Sequence, residues 1–74
     1  MTVKSDRQFS GSRLRKVRGK QSLREFALIV GVSHETVRAW ETQRLLPNSD
    51  DLALLSRLSG KPIDFFFVRR GRAA

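Results

Sequence analysis

The stretch that most constrains the fold of this chain runs from Gly31 to Glu41 and reads G-V-S-H-E-T-V-R-A-W-E. Gly31 can adopt the left-handed conformation that ends a helix sharply. Ser33 is a favoured N-cap residue, and Val32 and Val37 stand at the two positions of a hydrophobic staple. The pattern therefore predicts a glycine turn followed by a short helix with one apolar face.

A second helix is predicted immediately before this turn. Ser22 and Glu25 have the spacing of a capping box, in which each side chain accepts from a free backbone amide of the other residue. The apolar residues of this helix recur at the spacing of one helical face; they are Leu23, Phe26, Ala27 and Val30. Two capped helices joined by a glycine turn are typical of a helix-turn-helix unit, whose second helix enters a DNA groove.

Three further helices complete the predicted fold. One runs from about Ser10 to Arg18, one from the cap at Asn48 to Gly60, and a short one begins at Pro62. The inner stripe of the fourth helix is predicted to be Leu52, Leu55 and Leu58. Because strand-like alternation is lacking, we predict an all-α, compact bundle of five helices. The predicted boundaries are a flexible basic arm at 1–9, a helix-turn-helix domain at 10–68 and a disordered basic tail at 69–74.

The charge of the chain points to a polyanionic partner. There are 15 Lys and Arg against 7 Asp and Glu, for a net charge of +8. Such a balance most often indicates nucleic acid, and less often a membrane surface. Residues 1–24 hold eight basic residues against one acid, whereas residues 25–64 hold four against six. The basic character is therefore concentrated near the two ends.

Several classes of protein are disfavoured by the residues that are missing. The chain has no cysteine, which rules out disulfides and favours an intracellular setting. The longest apolar run, 26–30, is too short to span a bilayer, and the start resembles no signal peptide. His34 and Glu35 begin a zinc-protease motif, but Arg38 replaces its second histidine. We predict no enzymatic activity, cofactor, metal, small-molecule ligand or membrane association.

The ordered series of motifs resembles the helix-turn-helix family of phage lambda repressor and Cro. The matching segments are L-R-K-V-R at 14–18, S-L-R-E-F-A at 22–27, the 31–41 stretch, Pro47, and Gly60 with I-D-F-F at 63–66. The resemblance covers about residues 12–67 and implies a compact, usually dimeric bundle that regulates transcription. Three features depart from it: Leu23 replaces a usual glutamine, Gln43 replaces a usual loop glycine, and the first turn is shorter.

The polar face of the third helix carries the predicted base contacts. At about 100° per residue, Val37 and Trp40 face away from this side, and the resemblance puts base-reading positions at His34, Glu35 and Ala39. Arg38 can pair with guanine, and Glu35 can accept from a cytosine amino group. The predicted set is Ser33, His34, Glu35, Arg38 and Ala39. The alternative is a solvated helix face on which Glu35 and Arg38 are merely near each other at i, i+3.

Phosphate contacts are expected from a helix N-terminus and nearby cations. The predicted set is Lys20, Ser22, Leu23, Arg24, Thr42 and Arg44. Phe65 and Phe67 are predicted to form a dimer interface, because three consecutive phenylalanines cannot all face inward on one turn. One of Arg15 and Arg18 is expected to pair with Glu41 inside the fold.

Two functions remain open from the sequence. The first is a sequence-specific, homodimeric regulator of transcription that binds double-stranded DNA, such as a repressor or autoregulator of phage or mobile-element type. The second is a protein-binding module on the same fold, such as an antiactivator or an antitoxin-like partner, without specific DNA reading. Leu23, Glu35 and the acidic middle segment favour the second.

Overall fold

The computed structural model describes residues 7–69. Within this range four helices and a small sheet follow one another along the chain. The elements are β1 (Arg7–Phe9), α1 (Gly11–Arg18), α2 (Leu23–Val30), α3 (His34–Glu41), α4 (Ser49–Ser59), a 3₁₀ turn (Ile63–Phe66) and β2 (Phe67–Arg69). Of the predicted arm at 1–9 and tail at 69–74, residues 1–6 and 70–74 lie outside the described residues, whereas Arg69, predicted in the disordered tail, ends β2.

The predicted pair of capped helices is confirmed as α2 and α3. The Ser22 hydroxyl accepts from the amide of Glu25, and the Glu25 carboxylate accepts from the amide of Ser22. Gly31 ends α2 with φ of 89°, a left-handed conformation that costs glycine little. The Ser33 hydroxyl then accepts from the amide of Thr36 at the start of α3. Local residue chemistry therefore sets both ends of the turn.

The fourth helix begins and ends as predicted, but one of its leucines faces solvent. Asn48 caps α4, and Gly60 ends it with φ of 73°. Leu55 is fully buried, whereas Leu58 is 47% exposed, so its prediction as a core residue was wrong. Leu58 lies in the last turn of α4, where it borders an open groove instead of a packed neighbour.

A two-stranded antiparallel sheet corrects the all-α prediction. Strand β1 pairs with β2, with Phe9 opposite Phe67 and Gln8 opposite Val68. The amide of Ser10 donates to the carbonyl of Phe66 at 2.7 Å and extends the pairing. Residues 7–9 were expected in the flexible arm. Strands of three residues are too short for a recognisable alternation, and their pairing joins distant parts of the chain.

The predicted fifth helix is a single 3₁₀ turn at Ile63–Phe66. Pro62 precedes it as predicted, and Phe67 follows it in an extended conformation with φ of −119° and ψ of 140°. The turn cannot lengthen into an α-helix because the chain at this point enters β2. The prediction of five helices is therefore corrected to four helices, one 3₁₀ turn and the sheet.

The core lies between the helices and is closed at one end by aromatic residues from the sheet. Its buried apolar members are Phe9, Leu14, Phe26, Ala27, Val30, Val37, Trp40, Leu55 and Phe66. Phe9 stacks on Phe66 with ring centroids 6.4 Å apart and meets the edge of Phe67 at 6.0 Å. The first described residues are thus part of the folded core.

The start of α1 packs directly on the end of α3. A Cβ added to Gly11 would overlap the carbonyl group of Glu41. Beside it, Gln43 adopts the left-handed conformation with φ of 65°, and its side-chain oxygen accepts from the amide of Gly11 at 3.0 Å. Gln43 therefore keeps a backbone conformation that suits the family's usual glycine, and adds a bond that glycine cannot make.

Candidate nucleic-acid interface

Helix α3 divides into a buried face and an open face, as its sequence predicts. Val37 and Trp40 are buried in the core. Glu35 and Arg38 are exposed, and Ala39 is half-buried on the same side. We call this open side of α3 the recognition face, defined by His34, Glu35, Arg38 and Ala39.

The recognition face borders a concavity of about 600 Å³. The residues that line it are Glu35, Arg38, Ala39, Arg44 and Leu45. Three predicted base contacts and one predicted phosphate contact are therefore brought together on one surface. A second concavity, of about 300 Å³, carries Arg24, Ser33 and His34 at the junction of α2 and α3.

The loop after α3 is fastened to the recognition helix by its backbone. The amides of Arg44 and Leu45 both donate to the carbonyl of Ala39, at 2.9 and 3.3 Å. Gln43 also donates its amide to the carbonyl of Trp40 at 3.1 Å. Arg44 and Leu45 are consequently held beside Ala39 by backbone hydrogen bonds.

Glu35 and Arg38 do not pair with each other. Among the ion pairs within 7–69, none joins these two residues. Both side chains remain available for an external partner, which is a condition for reading base edges.

Two hydroxyl groups of the predicted site are engaged within the protein. The Ser33 hydroxyl caps α3 and lies 2.9 Å from the hydroxyl of Thr36. The Thr42 hydroxyl donates to the carbonyls of Arg38 and Ala39 at 3.1 and 3.3 Å. The cap uses a lone pair of the Ser33 oxygen, whereas the Thr42 hydroxyl proton is given to helix carbonyls. Because a phosphate only accepts, the Thr42 hydroxyl can donate to one only after turning away from those carbonyls.

The N-terminus of α2 presents backbone donors beside cations. The capping box occupies the amides of Ser22 and Glu25. Within the described chain, the amides of Leu23 and Arg24 have no protein acceptor. The Leu23 side chain packs partly against the core, so at this position the backbone, not the side chain, can meet a phosphate. Lys20 is exposed in the preceding turn but lines neither concavity.

An internal ion pair anchors the end of α3 to α1. Arg18 donates from Nε to Glu41 Oε2 at 2.7 Å and from Nη2 to Glu41 Oε1 at 3.1 Å. Arg15 approaches the same carboxylate at 3.5 Å, so both predicted partners meet Glu41. The hydrogen bond to Glu41 raises the pKa of Arg18, although burial opposes the rise. The C-terminal end of α3 is thereby fixed to α1 by an ion pair in which Arg18 remains charged.

The predicted dimer residues lie at the aromatic end of the fold, where both also have contacts within the chain. Arg13 stacks its guanidinium 5.0 Å from the ring centre of Phe65 and donates to the Phe65 carbonyl at 2.9 Å. Lys61 lies 5.1 Å from the same ring centre. Phe67 is half-buried against Phe9. Arg13 and Phe65 lie 52 residues apart in the chain, so no local sequence pattern indicates this contact.

Leu45 is a residue of this surface that the sequence prediction missed. Leu45 is 55% exposed although it lies beside the recognition face. The signal in the sequence was the apolar pair at 45–46 inside a polar loop, just before Pro47. Such a pair is unusual for an exposed loop unless a partner covers it.

Other classes of site receive no support from the described residues. Within 7–69, no cluster of three His, Asp or Glu side chains is arranged to hold a metal ion. In the same range, none of the helices combines the length and the apolar character that crossing a bilayer requires.

Comparison with known proteins agrees with the geometry of α2 and α3. A helix-turn-helix family model, of the lambda repressor and Cro type, matches residues 13–66. No match was found among curated proteins or among solved structures. The matched range covers most of the chain and includes α2, the glycine turn and α3 in full. The chain therefore belongs to the lambda repressor and Cro-like helix-turn-helix family, a family of DNA-binding regulators.

Proposed function

We propose that this protein is a non-enzymatic, sequence-specific transcriptional regulator that inserts α3 into the major groove of double-stranded DNA. The observation that carries the proposal is the recognition face itself. Glu35 and Arg38 are exposed and unpaired with each other, while the opposite face of the same helix is buried by Val37 and Trp40. A helix that is fixed in orientation and presents free donors and acceptors suits the reading of base edges.

The proposed base contacts follow from side-chain chemistry. Arg38 pairs with guanine O6 and N7, and Glu35 accepts from a cytosine amino group. His34 donates to a purine N7, and Ala39 lies against a thymine methyl. Ser33 remains in the proposed set because capping α3 uses only one lone pair of its hydroxyl oxygen, which leaves a second lone pair for a base edge.

The proposed phosphate contacts surround the recognition face. The amides at the start of α2 supply an anion site, since a helix N-terminus attracts negative charge. Arg24 and Arg44 add positive charge on either side of α3, where each lines one of the two concavities. The complete proposed set is Lys20, Ser22, Leu23, Arg24, Thr42 and Arg44.

The proposed assembly is a homodimer joined through the aromatic end, at Phe65 and Phe67. A two-fold dimer presents two recognition helices about 34 Å apart, which is one turn of DNA. Its site is then a palindrome, and binding near a promoter blocks or recruits RNA polymerase. The class proposed is a repressor or autoregulator of phage or mobile-element type, acting in a bacterial cytoplasm or nucleoid.

Selection of binding sites from random duplex DNA tests the proposal, followed by band-shift titration at several salt concentrations. We expect one enriched site with two-fold symmetry, and a logarithmic affinity that falls linearly with logarithmic salt concentration. A scrambled duplex of equal length is the control. Equal affinity for both duplexes, or absence of binding, contradicts the proposal.

The rival function is a protein-binding module, and the exposed side of α2 favours it. Leu28 is 82% exposed and Ile29 is 52% exposed, and both are large apolar side chains that a protein partner would cover. Band-shift titration of the wild-type chain distinguishes the two functions. The regulator predicts a preference for the selected DNA over a scrambled duplex, whereas the rival predicts no sequence preference.

A further inference from the structure

Leu45 is an exposed apolar residue beside the recognition face, and its backbone is hydrogen-bonded to α3. Its amide donates to the carbonyl of Ala39 at 3.3 Å, and the amide of Arg44 donates to the same oxygen at 2.9 Å. The leucine side chain lines the same concavity as Glu35 and Arg38. A residue held by its backbone in this way loses little further freedom when a ligand arrives.

The neighbouring Leu46 faces a different part of the surface. It is 64% exposed and lines a concavity with Phe9, Pro47 and Phe67. The two leucines are therefore similar in type and exposure but point to different surroundings. Only Leu45 shares a surface with the side chains proposed to read bases.

The chemistry around Leu45 restricts which DNA group it can meet. The other long side chains of its concavity, Glu35, Arg38 and Arg44, are charged and are suited to hydrogen-bonding edges or phosphates. Ala39 and Leu45 are the apolar residues that line this concavity. In the major groove the apolar group that a base pair presents is the C5 methyl of thymine.

We propose that Leu45 is a specificity-determining residue that, together with Ala39, packs against the methyl group of one thymine in each half-site. This inference rests on the proposed function, since it requires that α3 lies in the major groove. The contact selects thymine over cytosine through the methyl group alone, without a hydrogen bond. The loop after α3 thereby contacts a base through Leu45 and a phosphate through Arg44.

Replacement of thymine by deoxyuridine tests the contact, because it removes the methyl group and keeps every hydrogen-bonding edge. In the selected site, each thymine of one half-site is replaced in turn, and the dissociation constant is measured for the wild-type chain and for Leu45→Ala. At one position we expect the wild-type affinity to fall about fourfold, as for burial of one methyl group. Leu45→Ala should lose most of this penalty at that position.

Leu46→Ala is the matched control, and it should keep the deoxyuridine penalty of the wild-type chain. Thermal unfolding confirms that both variants are folded. The inference is overturned if no thymine shows a penalty that depends on Leu45, or if Leu46→Ala abolishes the penalty equally. Failure of the proposed function is a separate result, because the wild-type chain would then lack a preferred DNA site altogether.

Discussion

The guanidinium of Arg18 and the carboxylate of Glu41 form a two-point ion pair that joins the end of α1 to the end of α3, with distances of 2.7 and 3.1 Å. The Glu41 side chain is only 4% exposed. Because α3 carries the recognition face, this pair sets the orientation of the proposed DNA-reading helix from the side opposite to the DNA. Arg18 also donates to the carbonyl of Gln21 at 2.8 Å, which ties in the turn before α2.

Arg18→Gln should lower the free energy of unfolding by about 3 kcal/mol, because it leaves a buried carboxylate with a weaker partner. Arg15→Gln is the control. Arg15 is 66% exposed and 3.5 Å from Glu41, so its loss should cost about 0–1 kcal/mol. Urea unfolding followed by circular dichroism measures both. If the two variants lower the free energy of unfolding equally, Arg18 is not the stronger partner of Glu41.

The pH dependence of this effect follows from the raised pKa of Arg18. A cation whose pKa is higher in the folded state stabilises the fold fully below its unfolded pKa, and loses this contribution only as the pH rises through the folded value. For an arginine that window lies in strongly alkaline solution. The difference between wild type and Arg18→Gln should therefore stay constant between about pH 6 and pH 9.

Gln43 combines an unfavourable backbone conformation with a favourable side-chain bond. Gln43→Ala keeps the positive φ and loses the bond to the Gly11 amide, so it should destabilise the fold by about 1 kcal/mol. Gln43→Gly loses the same bond but relieves a left-handed conformation worth about 1 kcal/mol, and should be nearly neutral. Chemical denaturation of the two variants measures the difference. If glycine is no better than alanine, the strain at this position is negligible.

Arg38→Ala should weaken binding to the selected DNA by about 1–3 kcal/mol and relax the preference at one base pair. Arg57→Ala is the control, since Arg57 is exposed in the last turn of α4 and lines neither concavity beside α3. It should leave the base preference unchanged. Repeating the site selection with both variants measures this. If Arg38→Ala selects the same DNA site as the wild-type chain, Arg38 does not belong to the proposed base contacts.

Phe67→Lys should shift the protein from dimer to monomer, because it brings two like charges together across a two-fold interface. Ile63→Lys, in the adjacent 3₁₀ turn, is the matched control and should keep the wild-type mass. Sedimentation equilibrium of free and DNA-bound protein measures the assembly. A wild-type chain that stays monomeric on a palindromic site would exclude the proposed dimer.

Residues close together in the chain account for most of the successful predictions. Ser22 and Glu25, or Gly31 and Ser33, act on backbone groups three or fewer residues away, so their chemistry can be read without knowing the fold. The buried face of α3 follows from helical spacing for the same reason. The predicted base contacts share one helix, and their clustering on one surface was inherent in the helical period, although their contacts with DNA remain a proposal.

The errors fall where distant segments meet. The pairing of 7–9 with 67–69 depends on contacts across nearly the whole chain, and three-residue strands carry no pattern of their own. Leu58 had the correct spacing for the core, but no neighbour reaches it in the last turn of α4. The choice between Arg15 and Arg18 as partners of Glu41 also depended on how α1 packs on α3.

By itself, therefore, the sequence determined the helix-turn-helix unit, its caps and the polar face of α3, because these depend on local hydrogen bonds and on a fixed helical period. Only the tertiary structure decided which loop residues lie beside that face. Arg44 and Leu45 reach it because their amides share the carbonyl of Ala39, and Gln43 stabilises that loop through Gly11 at the start of α1. Such bonds depend on packing between distant elements, which no local pattern encodes.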